Sequence, residues 1–282
     1  VINGTSQLAQ EFWQQGRLAR CPILDFHAHM HDCAGLFLPR KAPEEMLRTM
    51  DACNSVLTLF AGHESLAHPG VGVEKDLEAA RHYPDRFKAY HPVISRHLDP
   101  RADLKRMDDN PDLFAGFKFH PSWYGVPLSD SRHDPYWEYA DARGLLVLSH
   151  TWGGSAVDGP DEVEKVLGKY HNLVFIAGHS FHTDWPRAAA FANEFPNFYA
   201  ELTAVLDNRG GLEVLVEQAG SEKILFGTDL PWFSTHYGIG AVLSAEISDE
   251  DRLNVFYRNG EKLLRRFPWF APIWEARRPA ES

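Results

Sequence analysis

Short apolar runs bounded by turn residues recur along the chain at fairly even intervals, each followed by a longer segment of helical composition. That alternation predicts repeated strand–helix units. Eight strands are expected, over residues 22–28, 55–61, 87–93, 114–120, 145–150, 173–179, 197–202 and 223–229. Helices are expected between them over 43–52, 73–83, 99–109, 135–143, 161–170, 185–194 and 211–219. Several open on a capping signal, such as Asp161 or the step Asp184-Trp185-Pro186, where a short polar side chain accepts from unpaired amides. An extra amphipathic helix is expected at 6–18, with Leu8, Phe12 and Leu18 on its apolar side, and further helix over 250–267. The end, 268–282, reads as an arm laid over the surface. Eight such units in 282 residues fit one α/β domain, a closed parallel (β/α)8 TIM barrel with its core at about 22–267. An open doubly wound sheet more often has fewer strands and an early glycine-rich phosphate loop, and none follows the first strand here.

Charge and cysteine usage narrow the partners. With 28 basic residues against 39 acidic ones the net charge is −11, the wrong sign for nucleic acid or an anionic membrane surface. Cys21, Cys33 and Cys53 are odd in number and lack CxxC spacing, which argues against a disulfide framework or a thiolate zinc knuckle. No window approaches the ~18–20 apolar residues of a membrane span, and the first twenty residues lack the basic-then-apolar order of an export signal. A cytoplasmic location is therefore expected, with a small molecule as the partner.

Polar residues with no packing role collect at the carboxyl ends of the expected strands, where the active site of a (β/α) barrel is built. Strand one ends in Asp25-Phe26-His27-Ala28-His29, and alternation along a strand sets His27 and His29 on one face about 7 Å apart. Strand five ends in Ser149-His150, strand six in Gly178-His179 and strand eight in Thr228-Asp229. A single histidine at a strand end is ordinarily a hydrogen-bonded rim group. Four histidines and an aspartate converging on one end of one barrel point instead to a metal site.

This pattern resembles the amidohydrolase superfamily of metal-dependent (β/α) barrels, and within it the branch that includes aminocarboxymuconate semialdehyde decarboxylase. The resemblance runs from Asp25 to about Phe267 and rests on DFHAH at 25–29, GFKFHP at 116–121, SH at 149–150, GHS at 178–180, FGTDLP at 226–231, and Asn259 before Leu263-Leu264. It implies that His27, His29, His150 and Asp229 ligate a catalytic divalent metal, with His179 beside it as a proton-handling or substrate-polarising group. Imidazoles with a carboxylate suit zinc first, then manganese or iron; one ion is favoured, two being the alternative. Asp229 is then placed to accept a proton from a metal-activated water.

Lys118 and His120 share a face of strand four. Lys118 resembles the position that carries a metal-bridging carbamate in binuclear superfamily members; the alternative, favoured here, is an ammonium that binds a carboxylate. His120 is expected to face the pocket without ligating. Glu201 is read as a salt-bridge partner of Lys118, the other reading being a second acid/base. Trp123 and Tyr124, Trp152, and Trp232 with Phe233 follow strand ends and suggest a pocket for a flat substrate. Arg96 and Arg132 are candidate carboxylate clamps, and the loop 123–134 a candidate lid. Trp269, Phe270 and Trp274 suit a homodimer contact or an intramolecular one. The activity expected first is hydrolysis of a small-molecule C–O or C–N bond, of lactone or amide type, through a metal-activated water. The alternative is non-oxidative decarboxylation of an aromatic or unsaturated carboxylic acid, which a cation pointing into the pocket would favour.

Overall fold

The structure, a computed structural model, describes residues 6–278. Eight parallel strands lie in sequential order: β1 (Ile23–Met30), β2 (Ser55–Gly62), β3 (Phe87–Val93), β4 (Phe114–Phe119), β5 (Leu146–Trp152), β6 (Val174–His182), β7 (Phe198–Glu201) and β8 (Ile224–Leu225). Helices alternate with them, giving the expected TIM barrel. Strand β8 is far shorter than its apolar run suggests, and the barrel closes onto β1 through irregular backbone instead. The amide of Phe26 donates to Phe226 O (2.9 Å), those of Thr228 and Asp229 to His27 O (3.2 and 2.7 Å), and that of His29 to Leu230 O (2.6 Å). Asp25 locks this seam from the side. Its carboxylate accepts from Thr228 Oγ1 (2.6 Å), from the Thr228 amide and from the His27 amide. Burial pushes the Asp25 carboxyl up to about 7, and those donors act in the opposite direction.

Buried apolar residues fall alternately into two clusters along each strand. One fills the bore, with Leu24, Phe26, Leu57, Leu59, Tyr90, Leu146, Leu148, Ile176 and Leu225. The other lies under the helices, with Ile23, Phe60, Phe117, Phe119 and Phe175. Period-2 alternation therefore governs most of the barrel, as it should for a sheet buried on both faces.

Most expected helices are present within a few residues, among them Pro43–Cys53, Pro100–Asp109, Trp185–Glu194 and Gly211–Ala219. Asp161 is not a cap: the helix Pro160–Leu167 starts earlier, on Gly159, and Asp161 sits in the first turn, where its charge suits the helix dipole. Helix Thr235–Ser244, after β8, has no counterpart in the sequence reading because its two glycines and mostly apolar composition hide a helical stripe. The amino-terminal helix runs only over Gln7–Gln15, capped by Ser6 and ended by Gly16 in the left-handed region.

Two expectations are overturned. The segment after 267 is not an arm: it forms the helix Phe270–Arg277, and Trp269, Phe270 and Trp274 are buried in the cluster that fills the bore. Its aromatics are consumed within the chain; residues 279–282 lie outside those described. The loop 123–134 is not a structureless lid either. It contains parts of two short turns, Pro121–Tyr124 and Ser131–His133, and buries Leu128 and His133, whose Nε2 meets Ser95 Oγ at 2.9 Å. Among the described residues no helix is long and apolar enough to cross a membrane.

Candidate active site

The bore opens at the carboxyl ends of the strands into a pocket of about 470 Å³, a size that suits a small molecule. His27, His29, His150, His179, Asp229, Lys118 and His120 all line it, so the strand-end residues singled out from the sequence do converge. They arrive there by two routes. His150 and Glu201 follow the regular alternation from Leu148 and Tyr199 in the bore, and Lys118 and His120 alternate with Phe117 and Phe119 under the helices, beyond a register shift at Ala115. His27 and His29 do not, because Leu24 and Phe26 already face the bore. A register irregularity between Asp25 and Ala28 reverses the sides, which is the usual effect of a bulge. His179 is turned by left-handed backbone, with φ of 69°, a conformation costly for non-glycine residues and shared by Asp229 at 57°, which keeps the side that Leu225 sets.

Glycine makes room for this arrangement at two bore positions. A Cβ at Gly227 would lie 1.9 Å from Glu201 Oε1 and 2.9 Å from His27 Cβ, and one at Gly178 would lie 3.2 Å from His27 Cε1. The first pair cannot be accommodated without a shift, and at Gly178 the obstacle is the backbone oxygen of Ser149, which that Cβ would meet at 2.8 Å.

Four of the imidazoles that line the pocket are held by Nδ1. His27 Nδ1 meets Glu201 Oε2 and His150 Nδ1 meets Asp158 Oδ2, each at 2.8 Å. His29 Nδ1 meets Ala61 O (2.8 Å), and His179 Nδ1 meets Thr203 O (3.2 Å). With the proton committed to these acceptors, each ring offers the Nε2 lone pair, the tautomer a metal or a proton transfer requires. Burial lowers His27 and His179 well below the ordinary imidazole range, with the neighbouring Lys118 adding to the effect at His27 and His150 at His179, so both rings are neutral.

His27 Nε2, His29 Nε2 and a carboxylate oxygen of Asp229 form a group whose ligand atoms all lie within 4.8 Å of one another. His29 Nε2 is 3.0 Å from Asp229 Oδ1, yet that buried oxygen has no hydrogen-bond partner. Two lone pairs facing an unprotonated, unsatisfied carboxylate oxygen form a set that only a cation satisfies, and nitrogen–oxygen donors of this kind fit a divalent transition metal. His150 stands outside this trio, its ring 4.8 Å from that of His179.

Lys118, 1% exposed, donates to His27 Nε2 at 2.8 Å. Burial lowers its ammonium to about 8, against the attraction of Asp229, Glu201 and Asp158. The expected Lys118–Glu201 salt bridge is not formed. Glu201 sits behind His27, and its four donors are His27 Nδ1, the His179 amide, and the Thr203 amide and hydroxyl. Alternation put Lys118 and Glu201 in one bore correctly, but the imidazole of His27 stands between them.

Neither arginine reaches the pocket. Arg96 is exposed, its guanidinium 5.5 Å from the Tyr124 ring centre, and Arg132 is exposed and paired with Asp130 at 2.8 Å. Tyr124 turns away, its hydroxyl on Leu66 O, whereas Trp123, Trp152, Trp232 and Phe233 do line the walls. His120 stacks on His150 with ring centres 4.3 Å apart, and Trp152 continues the stack on the other side.

Four polar residues escaped the sequence reading. His63 follows β2 at the same barrel end, its Nε2 accepting from Trp232 Nε1 at 2.8 Å; the strand-end rule that found His150 applies to it equally. Asp158 anchors His150 and Ser122 from a glycine-rich loop, and Asp207 lines the pocket from the turn after β7. Asp25, quoted only as part of a motif, is the seam lock described above. No periodicity marks the two loop residues.

Neither His150 nor His179 belongs to the trio, and the different roles expected of them from the sequence are separable by experiment. His179→Asn is expected to keep metal content near normal while turnover falls roughly 10²-fold or more, the usual worth of a positioned acid/base. His150→Asn is expected to weaken metal retention. Elemental analysis beside steady-state rates checks both; equal metal loss from the two variants would make His179 a ligand.

The family model described as amidohydrolase matches residues 24–266. Among solved structures, an uncharacterised TIM-barrel protein of Bordetella bronchiseptica is 19% identical, with a TM-score of 0.71 over 87% of this chain and 99% of that one. 2,6-Dihydroxybenzoate decarboxylase from Rhizobium is 14% identical, with a TM-score of 0.68 over 87% of this chain and 99% of that one. A dihydroxybenzoic acid decarboxylase from Polaromonas, solved with manganese and 2-nitroresorcinol, is 15% identical, with a TM-score of 0.69 over 87% and 97%. At these identities the likeness establishes the fold alone. No curated protein matches. The family match spans nearly the whole barrel, from β1 through the helix Asn259–Leu264, and the chain belongs to the amidohydrolase family.

Proposed function

We propose that this enzyme is a divalent-metal-dependent carboxy-lyase that removes CO2, without oxidation, from a small planar carboxylic acid. The observation that carries the reading is Lys118, a buried ammonium at the pocket floor beside the His27, His29 and Asp229 donors. A substrate carboxylate entering that floor exchanges hydration for a fixed cation, an interaction worth most where water is excluded. The decarboxylase names of the structural neighbours support the same reading.

His27, His29 and Asp229, with His150 as the fourth ligand, would hold the metal, zinc or manganese. When bound, the ion supplies Lewis acidity toward an oxygen of the substrate. The chain's own residues do the rest. Lys118 pairs with the carboxylate and orients it. Trp123, Trp152 and Trp232 flank the ring and exclude water from the scissile bond. As the C–C bond breaks, its electron pair stays on the substrate carbon, CO2 leaves, and that carbon takes a proton. His179 Nε2, unprotonated while Nδ1 is held on Thr203 O, is the atom placed to take that proton from a water and pass it to the carbon.

Hydrolysis of a lactone or amide is the second reading. The unsatisfied Asp229 Oδ1 beside His29 favours it, since that oxygen is placed to take a proton from a water. Metal-reconstituted protein tested on a panel of aromatic and unsaturated carboxylates, lactones and amides, with CO2 and organic product read separately, decides between them. CO2 release is expected; a ring-opened or deacylated product without CO2 would select hydrolysis. About one ion per chain is expected by elemental analysis.

A further inference from the structure

Charge in the pocket is arranged from floor to mouth. Lys118 is buried at the floor, and among the described residues no arginine and no second lysine lines the walls. At the mouth stands Asp207, its side chain 43% exposed, on the turn Val205–Asp207 that follows β7. Among the described residues no lysine or arginine pairs with this carboxylate, and the nearest basic group is His182. Asn208 Nδ2 donates to its Oδ1 at 2.7 Å and also lies 3.4 Å from His182 Nε2, so His182 is an acceptor there, and its 3.7 Å approach to Asp207 is no hydrogen bond. The adjacent Arg209 is turned to Glu246. Asp207 lines the pocket with its side chain partly exposed, so its carboxylate is open to whatever occupies the mouth.

We propose that Asp207 selects the far end of the substrate: it favours a planar mono-anion carrying an amino or hydroxyl donor there and rejects a second carboxylate. This rests on the reading above, in which the substrate's own carboxylate lies against Lys118. A ring seated between Trp123, Trp152 and Trp232 with one end at the floor cation presents its opposite edge to the mouth. A donor on that edge gains a charge-assisted hydrogen bond, whereas a carboxylate there meets like charge with no arginine to offset it.

The test is equilibrium binding to zinc- or manganese-reconstituted protein, followed by quenching of the lining tryptophans. Benzoate is compared with 3- and 4-aminobenzoate and with isophthalate and terephthalate, so that reach to Asp207 is sampled at two ring positions. Because the mouth is partly solvated, wild type is expected to bind the better amino isomer roughly three- to tenfold tighter than benzoate, and the matching dicarboxylate weaker by a similar factor. Asp207→Asn should level the series and Asp207→Lys should invert it, with thermal unfolding and metal content unchanged. An order of affinity that survives Asp207→Lys overturns the assignment, as does a flat series in wild type while benzoate binds. Failure of benzoate itself to bind metal-loaded wild type overturns the carboxylate reading and this assignment together.

Discussion

Replacing His29 by alanine is expected to abolish turnover and lower metal affinity by more than about 100-fold, since even outer partners of a metal ligand are worth 10- to 100-fold. The ring removed is one of three whose ligand atoms converge within 4.8 Å, and a divalent ion is left with two donors from that trio. The fold should survive. The His29 side chain makes one hydrogen bond, from Nδ1 to Ala61 O, and the packed layers of the barrel lie below it. Metal titration, elemental analysis and thermal unfolding of the apo form check this. Retention of a full complement of metal would remove His29 from the ligand set, and unfolding of metal-free wild type would make the site a structural one.

Glu201→Ala is expected to have the largest effect on stability of any single change at the site. Glu201 is fully buried and accepts four hydrogen bonds, two on each oxygen. Alanine strands all four donors and opens space beside Gly227, whose missing Cβ already yields that space to the carboxylate. Unsatisfied buried donors cost about 1–3 kcal/mol each, so a loss above ~3 kcal/mol is expected in denaturant unfolding. Glu201→Gln keeps the shape but can accept on one side only; its amide would confront either the His27 ring or the Thr203 donors. It should fold, yet bind metal roughly 10- to 100-fold more weakly, because His27 loses the acceptor that fixes its tautomer. Wild-type metal affinity in Glu201→Gln would reduce Glu201 to a packing residue. If Glu201 instead paired with Lys118, as the sequence suggested, the same change would raise or lower the lysine's freedom without touching His27.

A cation pointing into the pocket separates the two reactions, and of Arg96 and Lys118 it is Lys118 that meets this condition; the further clamp candidate, Arg132, does not. Arg96 and Arg132 sit on loops after strands, where nothing in the sequence constrains side-chain direction, and both point to solvent partners. Lys118 sits inside a strand between Phe117 and Phe119, both packed under the helices, so its inward direction was already implied.

The same contrast runs through the whole protein. Eight apolar runs spaced by helical segments determine a parallel barrel, because strands buried on both faces have few other ways to be covered. Period-2 alternation likewise determines that Lys118, His120, His150 and Glu201 face one bore. It does not determine His27, His29 and His179. Strict alternation from Leu24 and Phe26, or from Ile176, would turn those side chains outward, and only a bulge in β1 and a left-handed residue at 179 bring them in, whereas Asp229 keeps the side that Leu225 sets. Such irregularities cost local backbone energy and persist because the surrounding packing compensates, which is a property of the assembled barrel. The partners that tune the site, Asp158 behind His150 and Asp207 at the mouth, come from loops 8 and 6 residues beyond the strand-end positions His150 and Glu201, and only tertiary contacts bring them to it.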